Sequence, residues 1–259
     1  MSTKTVVFIH GMYMTPLCWE NWLPYFNARG YRSFSPPWPG RDKPVEALRN
    51  SHPDPHLRKL TLREVLESLS GYLATLDEKP ILIGHSMGGL VVQLLLQRGL
   101  AVGGVAIDSA PPQGVITAQW SFLKSNWPHI NPFADRNQPI QMSFKRFQYA
   151  FVNGLPESQQ QIAFDRYVVP ESRRVPGESL TRVAAIDFKK PHSPLLLVAG
   201  SADHIIPAAL NRANFARYKS TGSVADFKEF PSRTHFIIGQ ERWEEVADSI
   251  LAWIKEKGL

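Results

Sequence analysis

Short runs of Val, Ile, Leu and Phe alternate along the chain with stretches whose apolar residues recur every three or four positions. The short runs are typical of strands. Most are continuously apolar, which suits strands buried on both faces of a parallel sheet. We predict six such strands: Thr5–His10, Arg32–Pro36, Ile81–Gly84, Gly104–Asp108, Leu195–Ala199 and Asp226–Phe230.

The intervening stretches have the helical period and predict helices, of which the last is amphipathic. The predicted helices cover residues 17–30, 61–78, 87–99 and 241–258. Thr61 and Glu64 have the spacing of a capping box at the start of the second helix. The polar, proline-interrupted segment 43–59 is predicted to be a surface loop.

The alternation of strands and helices predicts an α/β fold with a mostly parallel sheet of about six strands and right-handed crossovers. The alternation stops over residues 111–190, where the pattern is helical and rich in aromatic residues. Such a stretch is too long for an ordinary connection. We therefore predict a core formed by residues 1–110 and 191–259. The insertion, residues 111–190, is predicted to form a helical cap over the carboxyl edge of the sheet, where ligands bind in this architecture.

The composition is that of a soluble globular protein, with 43% hydrophobic and 20% charged residues in 259. No apolar run approaches the ~18 residues that a membrane span needs, and the first strand begins too early for a signal peptide. We therefore predict no membrane span and a cytoplasmic location. The single cysteine, Cys18, excludes an intramolecular disulfide and a cysteine-based zinc site. The net charge of +6 comes from scattered Lys and Arg, so we predict no nucleic-acid partner.

Gly84, Ser86 and Gly88 form a G-x-S-x-G pattern between a predicted buried strand and an apolar helix. This pattern is typical of a nucleophile elbow, in which the strand turns sharply into the helix with serine at the tip. Glycines are needed because the backbones approach closely there. From composition alone, the pattern arises by chance in roughly one chain in ten of this length. The evidence for an elbow is therefore its position between a buried strand and an apolar helix. We predict that Ser86 is a nucleophile.

A serine hydroxyl needs a neighbouring base, and eight histidines are available. His235 follows the last predicted strand through a short loop, which places it at the carboxyl edge of the sheet. His10 is expected to tie loop backbone together, and His85 to point away from the serine. The remaining histidines considered lie in the polar loop or beside prolines of the insertion: His52, His56, His129 and His192.

The base must be held in the correct tautomer by a carboxylate. Asp203 follows the fifth predicted strand, and Asp108 ends the fourth. Either could approach a histidine on the last loop. We favour Asp203, because its strand is nearer to His235 in chain order. Asp108 is expected to hydrogen-bond backbone where the chain leaves the sheet.

The chain order Ser86, Asp203, His235 is that of the α/β-hydrolase triad. The protein resembles the α/β-hydrolase superfamily over essentially its whole length, and it is most similar to small capped serine hydrolases of the esterase or lysophospholipase-like type. The segments that carry the resemblance are VVFIHGM, ILIGHSMGG, LVAGSADHIIP and RTHF. The resemblance implies the α/β-hydrolase fold. It also implies that the backbone N–H groups of Met12 and Met87 bind the oxyanion.

The chain departs from some branches of this superfamily. It lacks the His-Gly-Gly-Gly loop of one lipase and esterase group. Serine stands at the elbow where haloalkane dehalogenases and epoxide hydrolases have aspartate, which disfavours alkyl-enzyme chemistry. The sequence begins at the strand that carries His10, so we expect a shorter sheet than in many relatives.

Together these features predict a hydrolase that cleaves carboxylic esters of small to medium apolar or aromatic substrates through an acyl-enzyme on Ser86. No cofactor or metal is expected, since the histidines lack metal-ligand spacing such as H-E-x-x-H. Candidate pocket residues are Tyr13, Met14, Trp120 and Trp127. The same triad could instead serve lactone or amide hydrolysis, carbon–carbon bond hydrolysis or cyanohydrin lysis. A non-catalytic ligand-binding module is the alternative of another class, and the oligomeric state stays open.

Overall fold

The computed structural model describes residues 3–131, 133–218 and 222–259. Within them, six parallel strands form one sheet in the order β2-β1-β3-β4-β5-β6. The strands are β1 Thr5–Ile9, β2 Arg32–Phe34, β3 Ile81–His85, β4 Gly103–Ile107, β5 Leu195–Gly200 and β6 Ala225–Phe230. The predicted parallel sheet of about six strands is confirmed, and every predicted strand is present.

The burial of the strands explains their composition. All residues of β1, β3, β4 and β5 are buried, because helices cover both faces of the sheet, whereas the edge strands β2 and β6 are partly exposed. Neighbouring strands pair in register along the row Phe8, Ile83, Val105 and Leu196. This register brings the carboxyl ends of the strands to one edge of the sheet.

Eleven α-helices lie in the part of the chain that the structure describes. They are α1 Trp22–Asn27, α2 Val45–Asn50, α3 Pro55–Lys59, α4 Leu62–Ala74, α5 Met87–Gln97, α6 Trp120–Ile130, α7 Phe144–Ala150, α8 Glu157–Tyr167, α9 Arg174–Glu178, α10 Ala208–Tyr218 and α11 Trp243–Glu256. The predicted capping box is confirmed at the start of α4: the side chains of Thr61 and Glu64 each accept from the other residue's backbone N–H.

Two expectations from the sequence are wrong. The segment 43–59 is not a plain surface loop, since it forms α2 and α3 and buries Leu48 and Leu57. Asp54 caps α3, and a proline follows it at the first helical position. The helix predicted over 17–30 is also divided, into a 3-10 turn and α1. Pro24 explains this division, because a helix running through it would lose a hydrogen bond and meet a steric clash.

The insertion contains α6 to α9, a further 3-10 turn and an isolated antiparallel bridge between Ile140 and Glu171. It touches the core closely. The Val169 N–H donates to the Tyr13 carbonyl at 2.9 Å, and the Phe236 N–H donates to the Phe151 carbonyl at 3.0 Å. Its predicted status as a separate cap stays a prediction. Among the helices of the described residues, none has the length and apolar character needed to cross a membrane.

The start of α5 packs directly on the end of β1 through Gly88. A Cβ atom at Gly88 would lie 2.2 Å from the Ile9 carbonyl oxygen and 2.6 Å from that of His10. No side chain fits between these backbones, so glycine is required here for space.

We expect Gly88→Ala to lower the free energy of unfolding by about 3 kcal/mol or more, because the added methyl group meets rigid backbone. Gly71→Ala is the matched control. Gly71 lies within α4 with open space around its Cβ position, and this substitution should stabilise by up to about 1 kcal/mol. Urea denaturation of both variants measures the difference. Equal stabilities would contradict the close packing of α5 on β1.

Candidate active site

Ser86 lies in a strained turn between β3 and α5. Its backbone has φ 58° and ψ −121°, a conformation that costs a residue other than glycine on the order of 1–3 kcal/mol. Surrounding hydrogen bonds hold it: its N–H donates to the Ile107 carbonyl and its carbonyl accepts from the Ala110 N–H, both at 2.9 Å. Gly84 allows the turn, since a Cβ there would lie 2.2 Å from the Gly88 carbonyl oxygen. The strained turn places Ser86 at the wall of a cavity.

The structure brings Ser86, His235 and Asp203 together in one chain of hydrogen bonds. Ser86 Oγ is 2.9 Å from His235 Nε2, and His235 Nδ1 is 2.6 Å from Asp203 Oδ2. The carboxylate accepts at Nδ1, so the neutral ring carries its proton there and Nε2 accepts from the serine hydroxyl. The other oxygen, Asp203 Oδ1, accepts from the N–H groups of Ile205 and Ile206 at 2.7 and 2.9 Å.

Neighbouring groups fix the His235 ring. The Phe151 ring meets it edge-on at 4.9 Å, and the His85 ring lies 4.6 Å away. His85 Nε2 is 2.7 Å from the His235 carbonyl oxygen, to which it donates. Burial, followed by the proximity of His235, lowers the pKa of His85 well below its usual value. His85 is therefore uncharged and does not oppose a positive charge on His235.

Asp108 lies close to Asp203 but has a different partner. Its Oδ1 accepts from the Gly200 N–H at 2.7 Å, as expected for a residue that hydrogen-bonds backbone at the strand end. Burial, then the negative charge of Asp203, raises the pKa of Asp108 well above its usual value, which favours the neutral acid.

One group of three side chains in the described residues could bring donor atoms near a metal ion. His85, Asp108 and His235 each offer one ligand atom within 4.8 Å of the others. The arrangement does not fit a metal, because both His235 nitrogens already have partners and Asp108 favours its neutral form.

The loop after β1 is held by His10. Its Nε2 accepts from the Trp38 N–H at 3.2 Å, so Nδ1 carries the proton and donates to the Gly11 carbonyl at 2.9 Å. The peptide group is planar and trans, so the Met12 N–H points away from that carbonyl. Met87 opens α5, where the first N–H groups have no partner within the helix. Within the described residues, neither the Met12 nor the Met87 N–H donates to a protein acceptor.

The cavity beside Ser86 has a volume of about 230 Å³ and is mainly apolar. Met12, Met87 and Tyr13 line it. The other predicted pocket residues do not. Met14 is buried away from the cavity, and the Trp120 and Trp127 side chains on α6 are 73% and 56% exposed. These three residues therefore do not line this cavity. For Trp120 and Trp127, the helical period of α6 does not reveal which of its faces meets the core.

Several cavity residues were not predicted from the sequence. The cavity wall also includes Ala110, Pro111, Pro112, Gln113, Gly114, Val115, Ile116, Phe122, Ser125, Asn126, His129, Met142, Phe151, Pro176, Ser179, Leu180, Ile205 and Ile206. His129 Nε2 lies 2.8 Å from the Tyr13 hydroxyl oxygen. Asn126 donates to the Ile205 carbonyl at 3.0 Å. Their position, three residues apart on α6, is the only sequence signal that could have grouped them.

The sequence matches the alpha/beta hydrolase family over residues 6–249. The chain therefore belongs to the alpha/beta hydrolase family, and its sheet of six parallel strands flanked by helices has that fold.

A pyrethroid hydrolase of Sphingobium wenxiniae is 28% identical over 98 residues, which are 38% of this chain and 32% of the relative. The match thus spans about a third of the length of that curated relative. The structure of a Paleococcus ferrophilus monoacylglycerol lipase has a TM-score of 0.67 at 20% identity, covering 99% of this chain and 96% of the other. An extracellular α/β-hydrolase from a Paenibacillus species gives 0.70 at 20% identity, covering 96% and 98%. These structures share the fold.

The buried His10 predicts a pH dependence of stability. Burial, with a smaller effect of Arg41, lowers the pKa of His10 from 6.5 to about 3. Between these pH values the unfolded chain binds a proton that the folded chain does not. The free energy of unfolding therefore falls as the pH is lowered through this window, by about 1.4 kcal/mol per pH unit, and the full contribution is present above it.

In His10→Asn the side-chain amide can still donate to the Gly11 carbonyl but does not titrate. We expect its slope of unfolding free energy against pH to be shallower than that of the wild type by about 1.4 kcal/mol per pH unit between pH 4 and 6. Urea denaturation at several pH values measures both slopes. Parallel slopes would show that His10 does not contribute.

Proposed function

We propose that this chain is a carboxylic ester hydrolase that acts through an acyl-enzyme on Ser86. The observation that carries the proposal is the hydrogen-bonded chain Asp203–His235–Ser86, with Ser86 at the wall of a mainly apolar cavity. Membership of the alpha/beta hydrolase family supports it. The names of similar proteins, which include a hydrolase, a lipase and an esterase, also point to this type of reaction.

In the first half of the reaction, Ser86 Oγ attacks the ester carbonyl carbon while its proton passes to His235 Nε2, 2.9 Å away. Asp203 stabilises the imidazolium through its hydrogen bond to Nδ1. The tetrahedral intermediate collapses when His235 returns the proton to the leaving alcohol, and the acyl group stays on Ser86. Water then attacks the acyl-enzyme with His235 again as the base, which releases the acid and restores the serine.

The N–H groups of Met12 and Met87 are the donors that we assign to the developing oxyanion. Both residues line the cavity beside Ser86. Met87 adds the positive end of the α5 dipole. Donors of this kind accelerate acyl transfer because their dipoles are already oriented when the charge appears, and losing one typically costs about 10²–10³ in rate.

The cavity favours uncharged esters with small or medium apolar or aromatic groups. Its volume of about 230 Å³ limits the size of the substrate, and its wall is formed mainly by apolar side chains such as Phe122, Met142 and Ile206. An apolar wall binds by removing hydrocarbon surface from water, while a charged group would lose hydration there without a partner.

We expect the wild type to hydrolyse p-nitrophenyl esters of short and medium acyl chains, and Ser86→Ala to lose at least about 10⁴-fold in kcat. A fluorophosphonate probe should label the wild type and not Ser86→Ala. Ser68→Ala, at an exposed position of α4, is the control and should keep both the rate and the labelling.

The alternatives give other outcomes. Labelling of Ser86 without turnover of any ester, together with cleavage of a lactone, an amide or a β-diketone, would assign the same triad to another reaction. Absence of both labelling and turnover in the folded wild type would favour a ligand-binding module.

The same substitution is expected to have very different effects on kcat at the two buried aspartates. Asp203→Asn should lower kcat by about 10³–10⁴-fold, because an amide donates at Nδ1 and turns His235 to the wrong tautomer. Asp108→Asn should change kcat by less than about 10-fold, because its amide oxygen can still accept from the Gly200 N–H and the neutral group resembles the protonated acid. Steady-state kinetics on one ester compares them, and a larger loss in Asp108→Asn would make Asp108 the partner of His235.

A further inference from the structure

The insertion hydrogen-bonds both backbone groups of Tyr13, the residue after Met12. The Tyr13 N–H donates to Glu171 Oε2 at 2.9 Å, and the Tyr13 carbonyl accepts from the Val169 N–H at 2.9 Å. Tyr13 has φ 63°, a left-handed conformation that is uncommon for an aromatic residue. Both of its backbone groups are thus fixed by one short segment of the insertion, which holds the chain in a conformation it would not prefer alone.

Glu171 is fully buried, and its charge has a buried partner. Arg41 Nη2 lies 2.7 Å from Glu171 Oε1, and the two side chains are 2% and 0% exposed. The Ser172 N–H also donates to Glu171 Oε1, at 2.6 Å. A buried ion pair of this kind is weak evidence for stability, since apolar residues of similar volume are often as stabilising or more so.

Arg41 also links Glu171 to the His10 side of the loop after β1. The backbone N–H of Arg41 donates to the Trp38 carbonyl at 2.9 Å, and the Trp38 backbone N–H donates to His10 Nε2 at 3.2 Å. His10 in turn holds the Gly11 carbonyl, which belongs to the same peptide group as the Met12 N–H. Met12 therefore lies between two anchors, one at His10 and one at Glu171. Arg41 pairs directly with Glu171 and is linked to His10 through the backbone of Trp38.

We propose that Glu171 is a positioning residue that aims the Met12 N–H at the oxyanion by fixing the Tyr13 peptide, with Arg41 neutralising its charge. This rests on the proposed ester hydrolysis. Glu171 touches no reacting atom and acts only through Tyr13 and Met12. A carboxylate is suited to the task because hydrogen bonds to a charged acceptor are stronger than those to a neutral one.

In this arrangement the positive charge of Arg41 compensates the negative charge of Glu171. An uncompensated carboxylate near the oxyanion would repel the charge that develops there, and the effect would be large in a buried site. Arg41 removes that repulsion while leaving Glu171 Oε2 free for the Tyr13 N–H. Because Glu171 lies in the insertion, the oxyanion site is complete only when this segment is seated on the loop after β1.

Two double variants separate positioning from stability. Arg41→Met/Glu171→Gln removes the buried charges but keeps an oxygen that can accept from the Tyr13 N–H. Arg41→Met/Glu171→Met removes the charges and the acceptor, with side chains of nearly the same size. We expect the first to keep kcat within about 3-fold of the wild type. The second should lose about 10- to 100-fold in kcat with KM nearly unchanged.

A second readout tests the role in the oxyanion site directly. An arylboronic acid forms a tetrahedral adduct on serine. The Arg41→Met/Glu171→Met variant should bind it more weakly, by the same factor as its loss in kcat. The pH at which kcat/KM falls on the acid side should be unchanged, because the Ser86–His235–Asp203 contacts are not altered. A purely structural role would lower the melting temperature without this matched loss.

Equal kcat in the two folded double variants would overturn the proposal. If either double variant fails to fold, the single variant Glu171→Asp takes their place. It keeps the negative charge beside Arg41 but withdraws the carboxylate from the Tyr13 N–H. It should show the same loss in kcat as Arg41→Met/Glu171→Met. A normal kcat in Glu171→Asp would also overturn the proposal. Failure of ester hydrolysis itself is distinguishable, since the wild type would then show neither turnover nor fluorophosphonate labelling.

Discussion

The contact of Gly88 with the end of β1 is the constraint on which the geometry of the site depends. The first turn of α5 lies against the Ile9 carbonyl, where a Cβ atom would come within 2.2 Å. The same approach brings the loop after β1 against the serine turn, since a Cβ at Gly11 would lie 2.8 Å from that of Ser86. Backbones are stiffer than side chains. This backbone contact therefore fixes the positions of the proposed nucleophile Ser86 and of Met12 relative to each other.

Burial controls the charges around the site. His10 and His85 are kept neutral because their ionised forms would lose hydration without gaining a counter-ion, and Asp108 favours its neutral acid for the same reason. In contrast, Arg41 and Glu171 are buried as an ion pair. Beside the proposed triad, His85 and Asp108 therefore favour their neutral forms, whereas Arg41 and Glu171 compensate each other.

The insertion, residues 111–190, contributes side chains and backbone contacts to the candidate site. Phe151 packs against the ring of His235, and α6 supplies His129 beside the Tyr13 hydroxyl. Glu171 reaches the backbone of the loop after β1. The cavity wall, the proposed base His235 and the proposed oxyanion loop thus share contacts with one segment. A change in how this segment seats would alter both the size of the cavity and the geometry of the proposed catalytic groups.

The sequence by itself determined the parallel sheet and the serine turn, because local patterns reveal a buried strand, the glycines around the serine and the apolar helix that follows. It also placed Ser86, Asp203 and His235 at one edge, since the carboxyl ends of parallel strands meet there. Only the tertiary structure decided which aspartate meets the histidine, that Trp120 faces outward, and that Glu171 contacts the loop after β1. Those outcomes depend on how residues far apart in the chain pack together, and no local pattern encodes that packing.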